Sequence, residues 1–69
     1  HRQLELNDVH TMIESLPKDQ RLILSLVAVE GCTYREAAMV ADVPQGTVMS
    51  RLSRARANLI QQRNSIEGE

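Results

Sequence analysis

Apolar residues recur along this chain at helical spacing, and no stretch shows the period of two that a half-buried strand requires. Val9, Met12, Ile13 and Leu16 form the first stripe, and Asn7 or Asp8 just before it can cap a helix. Pro17 ends that helix and opens the next, because the first turn of a helix leaves its N–H groups unbonded and proline has none to lose. A second helix is predicted from Pro17 to about Glu30, with Asp19 in its positive first turn and Gly31 as its stop. Of the residues from Leu22 to Val29, only Ser25 is not apolar. At about 100° per residue such a run covers most of the helix circumference, where an edge helix needs one stripe. The surplus predicts a second buried face, inside the bundle or against a partner.

The third helix carries the clearest local signal. Thr33 and Glu36 have the Thr-x-x-Glu spacing of a capping box, which satisfies two otherwise unbonded backbone donors. Ala37, Ala38 and Ala41 then offer a small-residue face on which another helix can approach closely. Ala41–Asp42–Val43 reads as a turn, since aspartate tolerates the left-handed conformation better than most residues. A fourth helix is predicted from Pro44 to about Gln62, with Val48, Leu52, Ala55 and Leu59 as its core stripe. The fold class expected is all-α: a small four-helix domain containing a helix-turn-helix, of the winged-helix-like class but without a wing. Residues 8–62 form that domain, 1–7 a linker or the remnant of an upstream region, and 63–69 a disordered tail.

Composition adds limits. With 69 residues there is room for one domain with a small core. Phe and Trp are absent and Tyr34 is the only aromatic, so the core is aliphatic. No apolar run approaches the roughly 20 residues that span a bilayer, and no membrane association is expected. Cys32 is the only cysteine; it forms no internal disulfide and fits a reducing cytoplasm.

The net charge of −1 would by itself discourage a nucleic-acid reading, but its distribution reverses the point. Residues 1–43 carry four basic and seven acidic side chains, net −3, whereas residues 44–63 carry Arg51, Arg54, Arg56 and Arg63 with no acid. Positive charge gathered on one segment is what a polyanionic partner selects. Opposite the core stripe of the fourth helix lie Gly46, Ser50, Ser53, Arg54 and Ala57, flanked by Thr47 and Arg51 on one side and by Met49 and Arg56 on the other. A recognition helix needs this combination: little bulk, so that its backbone can sit deep in the major groove, and a long donor that can bond guanine O6 and N7 together. Flanking arginines suit phosphates.

The ordered series of motifs resembles region 4 of bacterial sigma-70 family sigma factors, in particular the extracytoplasmic-function (ECF) group. Leu16-Pro17-Lys18-Asp19-Gln20-Arg21, the apolar helix and Glu30-Gly31 are similar to the start of that region. Thr33-Tyr34-Arg35-Glu36-Ala37-Ala38 is similar to the first helix of its helix-turn-helix. Val43-Pro44-Gln45-Gly46-Thr47-Val48-Met49-Ser50-Arg51-Leu52-Ser53-Arg54-Ala55-Arg56 is similar to its recognition helix. The resemblance covers about residues 9–60. It implies recognition of a promoter −35 element, typically AAC-containing in this group, docking on the β flap of RNA polymerase, and sequestration by an anti-sigma factor. It places Arg54 on bases, Ser50 and Arg51 on bases or nearby phosphates, and Thr47 on the backbone near the helix start, where Gln45 and Gly46 also lie. Thr33, Tyr34 and Arg35 would meet phosphates, with Met49, Ser53 and Arg56 completing the DNA face. Leu22, Ile23, Leu26 and Val27 would form the partner surface. Three positions depart from the family pattern: Met49 where Lys or Arg is common, Ser53 where a bulkier side chain is common, and Asp42 where glycine is usual.

Two other readings use the same residues. One is a helix-turn-helix regulator of another family, such as the LuxR type, which acts as a dimer on paired half-sites; the ECF reading expects a monomer when isolated. The other is a sigma-like module that binds an anti-sigma factor and has no need of Arg51, Arg54 and Arg56. Catalysis is not expected: His1 and His10 lie apart from any set of acids or cysteines at metal-ligand spacing, there is no glycine-rich phosphate loop, and no cofactor or metal is implied.

Overall fold

Pro17, Gly31 and Asp42 divide the chain as the pattern predicts. The computed structural model describes residues 6–67. It contains α1 (Leu6–Glu14), α2 (Lys18–Leu24), α3 (Tyr34–Ala41) and α4 (Gln45–Glu67). Helix α2 continues without a break into one wide turn, Ser25–Val29. There the backbone bonding lengthens by one residue, with Glu30 N–H donating to the Ser25 carbonyl at 3.0 Å. Turns of this π type are rare and occur singly inside longer helices. Gly31, at φ 73°, then reverses the chain.

The turn between α3 and α4 is closed by a left-handed residue that is not glycine. Asp42 has φ 56° and ψ 50°. Its N–H donates to the Met39 carbonyl at 3.3 Å, and Val43 N–H donates to the Ala38 carbonyl at 3.1 Å. This pair of bonds is the Schellman arrangement. Val43 and Ala38, whose contact accompanies that motif, both pack on the core.

Leu16, Ile23, Leu24, Ala37, Val48, Leu52 and Ala55 form the buried cluster, with Met12 also buried. Helix α4 is its spine and packs on both α2 and α3. The alanines of α3 let the two helices of the helix-turn-helix approach, with Ala37 fully buried and Ala38 and Ala41 packed beside it. Polar bonds join α4 to the other side of the domain. Ser15 Oγ donates to Gln62 Oε1 at 2.9 Å, and Asn58 Nδ2 donates to Gln20 Oε1 at 2.7 Å.

The ends differ from expectation. Helix α1 is described from Leu6, so Asn7 and Asp8 lie within it rather than before it. Residues 1–5 of the expected linker lie outside the described residues. Helix α4 runs to Glu67, five residues past Gln62, and the part of the expected disordered tail that is described is helical. No glycine or proline intervenes before Gly68, and the Gln62 bond to Ser15 holds that end. Residues 68 and 69 lie outside the described residues.

The capping box of α3 is complete. Glu36 N–H donates to Thr33 Oγ1 at 3.0 Å, and Thr33 N–H donates to Glu36 Oε1 at 2.8 Å. The Thr33 backbone donor, and to a smaller extent the Thr33 side chain, hold the Glu36 carboxyl below its ordinary value. A lowered folded value means that the charged box contributes its stability above the unfolded carboxylate range and loses it as pH falls through the lowered value. The stability difference between the wild type and Glu36→Gln is therefore expected to be widest near neutrality and to close on acidification. Urea denaturation at a series of pH values measures it.

Candidate nucleic-acid interface

Helix α4 is 23 residues long, about 34 Å at 1.5 Å per residue, and its first half carries the candidate face. Its start is set by Pro44, whose carbonyl accepts Thr47 N–H at 3.0 Å and Val48 N–H at 3.3 Å. Val48, Leu52 and Ala55 are buried and Leu59 packs beside them, which fixes the rotation of the helix. The opposite face is thereby turned to solvent: Gly46, Ser50, Ser53, Arg54 and Ala57 are all exposed.

Gly46 has no internal justification. A Cβ added there would meet nothing within 4 Å, and its φ lies outside the left-handed region. Glycine in place of alanine in a helix costs about 0.5–1 kcal/mol. Nothing inside the domain requires its small size, so any requirement comes from a surface approaching α4 from outside.

The flanks are unlike one another. On one side Met49 and Arg56 are exposed. On the other, Thr47 and Arg51 are half-buried, and Arg51 Nε lies 3.4 Å from Asp19 Oδ2, with 28% of the arginine side chain accessible. Arg51, expected on DNA, thus has an intramolecular partner that the sequence does not announce, because pairing across two helices leaves no trace in local spacing. Arg54 and Arg56 have no ion pair among the described residues.

The start of α3 joins this face. Arg35 lines one open cleft of about 480 Å³ together with Met39, Asp42, Val43, Pro44 and Gln45. The structure therefore brings Arg35 beside Gln45, and Thr33, the N-cap of α3, is exposed. Tyr34 is less available, because it packs against the core cluster.

The expected partner surface on α2 needs correction. Ile23 is 0% exposed and belongs to the core cluster, so it is not part of any docking surface. Periodicity gave α2 an apolar circumference but not the azimuth facing α4. Leu26 and Val27 are half-buried and also packed against the core. Leu22, 45% exposed, is the one of the four that stands open, at a shallow cleft with Lys18, Arg21 and Ser25. Val29, 73% exposed, shares the apolar run and sits on the wide turn, where helical periodicity no longer applies.

Among the described residues no group of three His, Cys, Asp or Glu side chains could hold a metal ion, and no helix is long and apolar enough to cross a membrane. Four helices with a close α3–α4 crossing, a Schellman turn between them and an acid-free outer face on the second define a helix-turn-helix domain. Residues 6–59 match the family model described as Sigma-70, region 4. The chain belongs to that family.

Its relatives agree. Over 48 residues it is 48% identical to the ECF RNA polymerase sigma-E factors of Escherichia coli (strain K12) and Salmonella typhimurium (strain LT2), covering 70% of this chain and 25% of each relative. Over 56 residues it is 39% identical to the ECF RNA polymerase sigma factor EcfG of Rhodopseudomonas palustris (strain TIE-1), covering 81% of this chain and 31% of the relative. The chain thus spans between a quarter and a third of the curated relatives it matches.

Proposed function

We propose that this chain is the promoter-reading domain of an ECF sigma factor, in which α4 enters the major groove of a −35 element and helps direct RNA polymerase to initiate transcription. The observation that carries the reading is the outer face of α4: small residues at 46, 50 and 53, an exposed Arg54, and no acidic side chain from Val43 to Ile66. In this reading Ser50 and Arg54 face the base edges, while Thr33, Arg35, Gln45, Thr47 and Arg56 meet phosphates. The domain acts by binding, without a cofactor, as a monomer in the cytoplasm. Leu22 and Val29 supply exposed apolar area for the polymerase β flap or an anti-sigma factor.

The test is Arg54→Ala against an AAC-containing −35 duplex and a random duplex. The expected result is a loss of specific affinity of about 1–3 kcal/mol, with relaxed preference at one base pair. Equal loss on both duplexes would remove Arg54 from base reading.

The Asp19–Arg51 pair makes a further expectation. An exposed ion pair contributes about 0–1 kcal/mol to folding, so Asp19→Asn leaves the domain folded. It frees Arg51 for a phosphate and steepens the salt dependence of DNA binding by about one counterion. The same substitution in an Arg51→Ala background is expected to leave the slope unchanged. An equal change in both backgrounds would show that Arg51 is not the charge released.

A further inference from the structure

Met49 stands at the first turns of α4 with 53% of its surface exposed, one of the large apolar side chains the fold leaves uncovered. It occupies the edge of the outer face away from Arg51. Ser53 lies one turn further along the same edge and is exposed, so no bulky neighbour in that direction covers the thioether. Gly46, one turn before, is open as well. The adjacent polar residues can hydrogen-bond a base edge, but Met49 has no donor with which to reach a phosphate or a guanine. It is unbranched and flexible, and adapts its shape to an apolar surface.

In the major groove one base alone presents such a surface: the C5-methyl group of thymine. We infer that Met49 is a specificity-determining residue that reads a thymine methyl in the −35 element, on the edge of α4 opposite Arg51. The inference rests on the proposed promoter-reading function. It divides the labour on the recognition helix, with a hydrogen-bonding edge carrying Ser50 and Arg54 and an apolar edge carrying Met49.

Replacing thymine by deoxyuridine removes that methyl group and leaves every hydrogen-bonding atom in place. The test titrates the chain with an AAC-containing duplex, with the same duplex carrying deoxyuridine at one thymine at a time, and with a random duplex, following fluorescence anisotropy at fixed salt. At one position the wild type is expected to lose roughly fourfold in affinity, the worth of about one buried methyl group. Met49→Ala is expected to bind the unmodified duplex more weakly and to lose nothing further at that position, with circular dichroism showing that the variant is folded. Wild-type affinity that is unchanged by deoxyuridine at every thymine would overturn the inference while leaving the promoter-reading function intact. So would an undiminished deoxyuridine penalty in Met49→Ala. Failure of the unmodified duplex to bind better than the random one would overturn both.

Discussion

Ser50→Glu is expected to abolish binding to the −35 duplex while helical content and thermal midpoint stay near those of the wild type. Ser50 is exposed on the outer face of α4, between Gly46 and Arg54 along the direction in which the backbone would approach the groove floor. Glutamate adds bulk where the fold keeps side chains short, and places a negative charge against a duplex that carries one phosphate charge per about 1.7 Å of its axis. Inside the domain the substitution is mild: glutamate is a good helix former, and the core stripe of Val48, Leu52 and Ala55 lies on the other side of the helix. Electrophoretic mobility shift at low salt, paired with circular dichroism, measures the two halves. Retained binding by a folded Ser50→Glu domain would mean that α4 does not enter the groove by this face.

Ile23→Ala acts through the core. Ile23 is among the largest fully buried side chains, with Val48 the other, and truncating a buried isoleucine to alanine costs about 2–5 kcal/mol. A domain of 69 residues has a total stability of only about 3–10 kcal/mol, so the variant is expected to lose a large share of it and to unfold at a clearly lower temperature. Thermal and urea unfolding report it. Leu22→Asp, one residue away but 45% exposed, is expected to leave the unfolding midpoint nearly unchanged. Adjacent residues with such different outcomes would show that the rotation of α2, rather than its hydrophobicity, decides what is available to a partner. A midpoint for Ile23→Ala equal to that of the wild type would contradict the packing described.

Features governed by local chemistry were legible in the sequence. The Thr33–Glu36 box, the left-handed Asp42, the stop at Gly31 and the stripe from Val48 to Leu59 each depend on residues within a turn or two of one another, and all formed as read. The outer face of α4 followed from that stripe, since fixing the buried side of a regular helix fixes the exposed one. Features set by the meeting of distant segments were not legible. The azimuth of α2 depends on where α4 lies, so Ile23 was placed on the wrong side. The wide turn at Ser25–Val29 breaks the 3.6-residue period, so the helical pattern did not show that Val29 stands exposed. Asp19 and Arg51, Gln20 and Asn58, and Ser15 and Gln62 each pair across the fold, and the last of these holds α4 helical beyond the point where its apolar stripe ends.

The central claim is that the start of α3 and the outer face of α4 together read duplex DNA. Affinity of an isolated promoter-reading domain is modest when other contacts normally hold it on the template, because tethering raises its effective concentration. The most direct test is therefore a titration of the isotopically labelled domain with a short AAC-containing −35 duplex, followed residue by residue through amide NMR shifts. Shifts concentrated at Tyr34–Glu36 and Gln45–Arg56, and weaker with a random duplex, are the predicted result. Unmoved amides in those two segments at saturating duplex, or shifts centred on α2 instead, would contradict it.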